Sequence, residues 1–433
     1  MEYPASLNDD SSPWSYDLQP KEPLPLSIFL LMPFLVGAIS VSAMPGFNYL
    51  VIVLGVVCAV VFMVASVREG FFIPAELKFF GAFCFWGALG LLVARFPELV
   101  FTQLKTLAQV LIMALIVSYY ARNTRCISWL FFAVLIGVLI VAASAVETGE
   151  YKRAEVEGAR LAGLTLNANA FAITITNGIA ILLFFFGQVR SKILKLVIIG
   201  GILVGIRFVI SSGSRKGFIG VAILILFWFL LTYLKELRKR PLLVIVMLWG
   251  IVALGVFAAY SMRNTVLMQR FSQFNKETTA SSTGGGTRLL MIEESIRFTA
   301  SHPVLGLGLD NFQVYSVVGL YSHNNYAEVF SSTGIPGGIL YYLIYVIIFY
   351  RLHKVSKFSL SPSQRNVVTI FKCLMLLRLV LDLGVVSYYS KINWIFMAII
   401  IGGLCYLERD VEADYTQNDN KGEFAQNVLA VEY

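Results

Sequence analysis

Long apolar segments recur along almost the whole chain, and only short polar stretches separate most of them. Runs of about 20 apolar residues are long enough to cross the roughly 30 Å hydrocarbon core of a bilayer as helices. Helices are the expected form of these spans, because the bilayer interior offers no hydrogen-bond partner to an unpaired backbone amide. The pattern predicts about twelve membrane-spanning helices, at residues 24–44, 47–67, 72–94, 99–120, 127–146, 161–187, 194–212, 217–234, 241–260, 332–350, 366–388 and 392–407.

The overall composition leads to the same conclusion as the pattern. Of 433 residues, 58% are hydrophobic and 14% are charged, and the mean hydropathy is +0.75. Soluble globular chains are about 45–50% apolar and about 25% charged. The chain therefore lacks the polar side chains that would cover a water-soluble core of this size, which excludes soluble enzymes and transcription factors. The predicted fold class is an all-α polytopic membrane protein.

Lysine and arginine residues between the spans predict the orientation of the chain. Positive charge falls in every second connection, marked by Arg68, Arg122, Arg190, Lys239 and Arg351. Because cytoplasmic loops are enriched in Lys and Arg, both tails, 1–23 and 408–433, are predicted to be cytoplasmic. The second tail is rich in Asp, Asn and Glu and is predicted to be disordered. These loops account for the net charge of +8, so the charge does not indicate a nucleic-acid partner.

The longest connection, residues 261–331, separates the nine spans of 24–260 from the three spans of 332–407 and is predicted to be external. Connections of this length without a function are uncommon. Residues 288–300 place apolar side chains at helical spacing and predict an amphipathic helix at the membrane surface, with Thr287 as its cap. A cluster of proline and glycine and a second short helix are expected to follow.

Basic residues also occur on the predicted external side, against the insertion bias. They include Arg160, Arg207, Arg215, Lys216 and Arg288. A guanidinium group grips phosphate with a planar fork of donors. A single surface arginine is commonly a solvated residue, but several at helix ends that face one loop favour an anion site.

The chain contains three histidines, and each occurs in a different setting. His353 lies among basic residues of a cytoplasmic loop and is predicted to be a solvated interfacial residue. His302 is followed by proline, which favours an extended backbone before it, and is predicted to fix a turn. His323 lies at the external mouth of span ten. A neutral histidine there can accept a proton as a general base, or it can help its neighbour Asn324 to cap the helix.

Four segments in a fixed order resemble the O-antigen ligase/polymerase superfamily. They are RLAGLTLNANAFA at 160–172, SSGSRKGFIG at 211–220, RLLMIEESIRFTASHPVLGLGLDNF at 288–312 and SHNNYAEVFSSTGIPGG at 322–338. The strongest similarity covers about a third of the chain, residues 200–345. Each segment is short, and the ordered set is what gives the resemblance its specificity.

The resemblance implies a membrane-embedded glycosyltransferase of type C architecture. Members of this superfamily polymerise or ligate lipid-carried oligosaccharides outside the cytoplasmic membrane, in the synthesis of cell-surface polysaccharides. The expected donor is a polyprenyl-diphosphate-linked oligosaccharide, the acceptor is another glycan, and neither a metal nor a cofactor is expected. Polymerase is the expected activity and ligase is the alternative. A flippase and a chain-length regulator are candidate partners beside the lipid bilayer.

Individual functional residues also follow from the resemblance. The external histidine of the family falls on His323, and its arginines fall on Arg160, Arg215 and Arg288. The resemblance implies that these arginines neutralise the diphosphate of the donor and that the histidine takes the proton of the acceptor hydroxyl. Direct attack by that hydroxyl on the anomeric carbon inverts its configuration.

Two further residues are predicted to support His323. Asn324 is a candidate cap for the helix of span ten. Glu328, one helical turn later on the same face, is a candidate to orient the imidazole ring. No paired carboxylates at glycosidase-like positions and no cluster of metal-ligating residues are evident in the sequence.

A lipid-linked oligosaccharide flippase or another transporter is the main alternative outside the enzymes. Arg378 and Asp382 lie four residues apart in span eleven, and intramembrane charges of this kind suit a transport path. They are equally suited to an ion pair that stabilises the bundle, which is the favoured interpretation. Transporters commonly have two similar halves, whereas here only the second half contains a long external loop.

Overall fold

The structure is a computed structural model that describes residues 25–40, 47–70, 72–156, 159–239, 267–268 and 285–419. Within these ranges the chain forms α-helices and two short 3-10 turns, and no β-strand occurs there. The predicted all-helical fold class is therefore confirmed.

Fourteen α-helices are described, and nine of them precede the long connection. These nine are α1 (Ile28–Ser40), α2 (Phe47–Glu69), α3 (Ala75–Leu89), α4 (Pro97–Tyr120), α5 (Thr124–Glu147), α6 (Glu150–Val156), α7 (Ala168–Gln188), α8 (Lys192–Ser211) and α9 (Arg215–Lys239). The other five are α10 (Gly285–Ser301), α11 (Phe312–Tyr315), α12 (Asn325–Val355), α13 (Pro362–Asp382) and α14 (Lys391–Asp419). The 3-10 turns are Gly90–Leu92 and Gly163–Thr165.

Nine stretches of the described residues are long and apolar enough to cross a membrane. They belong to α2, α3 with its 3-10 turn, α4, α5, α7, α8, α9, α12 and α14. The shorter apolar α1 and the more polar α13 coincide with predicted spans one and eleven. Predicted span nine, 241–260, lies outside the described residues, as do most of 261–284 and both chain ends. The chain is thus a multi-pass membrane protein.

Several predicted boundaries differ from those of the structure. Span six begins at Ala168 and not at residue 161, because Asn167 caps α7 after a turn in which Leu166 adopts a left-handed backbone conformation (φ 55°). Span ten begins at Asn325, and the predicted surface helix of the long connection begins at Gly285, so that Thr287 lies inside it. The last helix continues to Asp419, so residues 408–419 are helical and do not belong to a disordered tail.

Short polar side chains begin many of the helices. In five helices, the side chain just before the helix accepts a hydrogen bond from a backbone N–H of the first turn. These capping residues are Asn123, Asn167, Ser191, Asn324 and Ser361. Such caps satisfy amides that have no partner within the helix. The apolar runs alone do not give these start points, but the polar residue in front of each run does.

The helices differ in how deeply they lie within the bundle. Most side chains of α7 and of the spanning part of α14 are buried, whereas α2 and α8 expose apolar side chains over most of their length. An exposed apolar surface of this kind suits helices in contact with lipid. The helices α3, α12 and α14 pack together through aromatic rings, and Phe80 stacks on Trp394 at 3.6 Å between ring centroids.

The helix α12 is interrupted at Gly334, whose backbone (φ 69°, ψ −175°) is not helical. Residues of the preceding connection run alongside the interruption. The N–H of Leu307 donates to the carbonyl of Ser331 at 2.9 Å, and the N–H of Ile335 donates to the carbonyl of Pro303 at 2.8 Å. The backbone groups freed by the break are thus satisfied within the protein, as a membrane protein requires.

Glycine makes this close approach of two backbones possible. A Cβ atom on Gly306 would lie 2.5 Å from the carbonyl carbon of Ser332, and both Gly306 and Gly334 have positive φ angles. The indole N–H of Trp86 in α3 donates to the carbonyl of Thr333 at 3.0 Å. The segments 288–312 and 322–338, which are separate motifs in the sequence, therefore form one unit that holds the first part of α12.

Candidate functional site

His323 lies in a turn, residues 321–324, that leads into α12; we call this segment the histidine turn. Its backbone is in the left-handed region (φ 57°), which non-glycine residues rarely adopt. The imidazole is half-buried, and its ring centroid lies 4.1 Å from that of Tyr321. A strained backbone at a candidate base is consistent with a side chain that must point in one fixed direction.

The two residues predicted to support His323 both accept hydrogen bonds from backbone amides close to it. Asn324 caps α12, because its Oδ1 accepts the N–H of Ala327 at 3.0 Å. The carboxylate of Glu328, 2% exposed, accepts the N–H of Ser322 at 2.8 Å. Glu328 thus contacts the backbone next to His323, and its role in orienting the imidazole stays a prediction.

Arg160 lies against the turn that precedes α9. Its Nη2 donates to Oδ1 of Asn169 at 3.2 Å, and its Nε donates to the carbonyl of Ser212 at 3.3 Å. The hydroxyl of Ser214 donates to the same Oδ1 at 2.9 Å. Two of the sequence motifs, 160–172 and 211–220, thus meet here, and the next residue along the chain is Arg215.

Lys216 joins the candidate site, although the sequence placed it only among the external basic residues and the resemblance assigned it no role. Its side chain passes over Gly384, where an added Cβ atom would lie 2.8 Å from Cε of the lysine. It interacts electrostatically with Arg215, Arg288 and His323. The two adjacent basic residues of the segment SRKG indicate a cationic site in the sequence. The sequence does not show which of them acts on the histidine.

Burial and two nearby positive charges lower the pKa of His323. Burial, followed by the positive charges of Lys216 and Arg288, lowers the pKa of His323 from 6.5 to about 4. The imidazole is therefore neutral at neutral pH and can accept a proton. Arg288 also acts on Tyr321, although burial is the largest cause of the raised pKa of that phenol.

The structure brings most of the predicted site residues to one end of the bundle. His323 and Arg288 are electrostatically coupled to Lys216, which is adjacent to Arg215, and Arg160 contacts the turn before Arg215. The other two histidines lie elsewhere, after α10 and in the last turn of α12.

An apolar groove of about 470 Å³ runs between α10 and α12 and ends beside the histidine turn. The hydroxyl of Ser295 donates to the carbonyl of Ala327 at 2.6 Å and joins the two helices at its floor. The groove lining consists of Ile292, Ser295, Ile296, Thr299, Ala300, Asn324, Tyr326, Ala327, Phe330 and Ile335. Its volume is within the range of about 300–1,000 Å³ that is common for small-molecule sites.

Arg378 and Asp382 do not form the ion pair that their spacing favoured. Nη2 of Arg378 donates to Oδ1 of Asn177 at 2.8 Å, and the guanidinium lies 5.1 Å from the ring centroid of Phe396. Asp382 accepts a hydrogen bond from Asn325 at 3.1 Å. Other helices thus supply the polar partners of both residues.

Comparisons with known proteins bear on the same part of the chain. A family model described as O-antigen ligase matches residues 201–342. The match confirms the resemblance to the O-antigen ligase/polymerase superfamily and contains Arg215, Lys216, Arg288 and His323. A comparison with curated proteins finds no match. Among the residues that the structure describes, no group of three or more His, Cys, Asp or Glu side chains is arranged to hold a metal ion.

Proposed function

We propose that this protein is a membrane glycosyltransferase that polymerises polyprenyl-diphosphate-linked oligosaccharide units on the external face of the cytoplasmic membrane. The observation that carries the proposal is the position of a half-buried, neutral histidine beside Lys216 and Arg288, within the segment that matches the O-antigen ligase model. Both termini are then cytoplasmic, as the alternation of basic loops predicts.

The reaction makes two electrostatic demands that these residues can meet. His323 takes the proton of the acceptor hydroxyl while the acceptor oxygen bonds to the anomeric carbon, and the bond from that carbon to the diphosphate breaks. Cations neutralise the charge that develops on the leaving diphosphate, and Arg288, Arg215, Arg160 and Lys216 are the candidates. Direct displacement inverts the anomeric carbon without a metal. General-base catalysis contributes about 10²–10⁴-fold to such a step.

The apolar groove is suited to the first isoprene units of the donor. On α10 the cation Arg288 is followed, at helical spacing, by the groove residues Ile292 and Ile296. On the opposite wall, His323 precedes α12, whose residues Tyr326 and Phe330 line the groove. Both walls therefore change from polar to apolar in the same direction, which matches a molecule with an anionic head and a hydrocarbon tail.

Ligation of the glycan to a different acceptor is a second candidate, favoured by the description of the matching family model. Both activities use the same donor and the same base, and they differ in the acceptor. A polymerase produces a ladder of products from the donor alone. A ligase produces a single addition and only when a separate acceptor lipid is supplied.

The proposal is tested with His323→Ala in a deletion strain and in purified form. Loss of the base is expected to lower kcat by about 10²–10⁴-fold while donor binding is retained, so that unpolymerised lipid-linked units accumulate. His302→Ala is the matched control, because that histidine lies in the turn after α10 with Nδ1 3.0 Å from the hydroxyl of Ser301. Normal glycan chain length with His323→Ala would contradict the proposal.

A further inference from the structure

The start of α12, directly after the histidine turn, is attached to the α13–α14 loop, residues 383–390, by the buried Asn325. Oδ1 of Asn325 accepts the backbone N–H groups of Ser387 and Tyr388, at 2.8 and 2.9 Å. Its Nδ2 donates to the carboxylate of Asp382 at 3.1 Å and to the hydroxyl of Tyr342 at 3.2 Å. Asn325 follows His323 by two residues, so these contacts fix the start of α12 just after the turn.

The side chain of Asn325 makes every hydrogen bond that an amide can make. An asparagine has two N–H donors and two lone pairs on its oxygen, and all four are in use. The residue is completely buried (0% exposed), so any substitution would leave several buried polar groups without partners. The position therefore requires the hydrogen-bonding groups of an asparagine amide as well as its volume.

The α13–α14 loop also contacts the cationic side of the site. Gly384 lies under the side chain of Lys216, and Nδ2 of Asn324 donates to the carbonyl of Leu383 at 3.4 Å. The hydroxyl of Ser387 in the loop donates to the carboxylate of Asp382, the last residue of α13, at 2.5 Å. One short loop thus touches both the segment that carries His323 and the helix that carries Lys216.

We propose that Asn325 is a positioning residue that holds His323 in its left-handed backbone conformation and against Lys216 through the α13–α14 loop. The inference rests on the proposed function, because it assigns the effect of Asn325 to the base. A left-handed conformation at a residue other than glycine persists only where surrounding contacts impose it. Asn325, Asn324 and Glu328 provide such contacts, and Asn325 alone among them links the turn to Asp382.

The first test is the kinetic effect of Asn325→Ala on the full-length protein in lipid nanodiscs, with lipid-linked oligosaccharide isolated from the deletion strain as donor. Small misplacements of a reacting group cost up to about 10²-fold, so kcat is expected to fall about 10–100-fold, with KM for the donor changed less than about twofold. Asn366→Ala is the matched control, because it removes one interhelical hydrogen bond (2.8 Å to the carbonyl of Phe184) near the opposite end of α13. It is expected to leave kcat unchanged.

A double-mutant cycle separates positioning from general stability. If Asn325 acts through His323, then Asn325→Ala lowers the residual rate of His323→Ala by less than about twofold, because coupled residues are not additive. A full second loss in the double variant would overturn the inference. A wild-type rate in His323→Ala would instead overturn the proposed function, so the two failures are distinguishable.

A reciprocal exchange covers the case in which Asn325→Ala does not fold. In Asn325→Asp with Asp382→Asn, the donor and the acceptor of the 3.1 Å contact are interchanged, and the backbone N–H groups of Ser387 and Tyr388 keep a carboxylate acceptor. Each single substitution is expected to lower kcat, and the exchange is expected to restore it to within about threefold of wild type. If the exchange folds and kcat is not restored, the inference is wrong.

Discussion

The two ends of the helix bundle use their charged residues in opposite ways. At the end that is predicted to be cytoplasmic, Arg351 pairs with Glu76 at 2.5 Å and with Glu408 at 2.7 Å, and so joins α3, α12 and α14. At the other end, Lys216 and Arg288 lie near one another and near His323.

This difference separates charges that join helices as ion pairs from cations that lie together near a titratable histidine. Opposite charges in direct contact compensate one another's loss of hydration, whereas neighbouring like charges repel and carry an electrostatic cost. A cluster of like charges beside a titratable group is typical of a functional site. Glu328, a buried carboxylate in the first turn of α12, accepts a hydrogen bond from a backbone amide of the histidine turn.

Removal of the paired arginine is expected to have the largest effect, and on folding. Arg351→Met leaves the completely buried Glu76 without its partner, and breaking a buried ion pair costs about 3–5 kcal/mol. The yield of folded protein and the midpoint of thermal unfolding should fall, while activity per folded molecule is retained. Adding Glu76→Gln should recover part of the stability. A normal yield with lost activity would contradict the structural role of this end.

A change of shape without a change of charge tests the cationic end. Arg288→Lys keeps the positive charge but removes the planar fork of donors, and loss of one such electrostatic contact costs about 10–100-fold in kcat or more. Arg297→Lys, on the same helix and 68% exposed, is the matched control and should retain full activity. Equal activity of both variants would show that Arg288 only adds charge to the helix end.

The pH dependence of kcat should show the influence of the neighbouring cations. His323 must be neutral to act as a base, so kcat should be constant above about pH 5 and fall as the pH drops through its pKa of about 4. Lys216→Met removes a like charge, and the acidic limb should then move up toward the ordinary value of 6.5. A limb that does not move would show that Lys216 does not contribute and that burial and Arg288 set this pKa.

The smallest expected effect concerns the glycine beneath Lys216. In Gly384→Ala the new methyl group would lie 2.8 Å from Cε of the lysine, and because that chain is flexible, kcat should fall only about two- to fivefold. Gly81→Ala is the control, since nothing lies within 4 Å of the added methyl group. Equal rates for both variants would show that the contact between Lys216 and Gly384 does not affect kcat.

The spans and the candidate histidine could be predicted from sequence for different reasons. Apolar runs must become helices in lipid, so eleven of the predicted spans coincide with helices. His323 was found because it lies within an ordered motif. The hydrogen-bonding roles of Glu328 and Asn325 could not be predicted, because they depend on a turn with positive φ and on a loop about 60 residues farther along the chain.

The sequence by itself determined that the chain is a multi-pass helical membrane protein and which of its segments resemble O-antigen ligases. Hydrophobic length and the need to satisfy backbone amides inside lipid are local properties, and short motifs are local too. Only the tertiary structure decided that α12 breaks at Gly334, that Lys216 and Arg288 act electrostatically on His323, and that Arg378 bonds to Asn177 and not to Asp382. These features depend on partners that different helices supply, and spacing along one helix does not specify them.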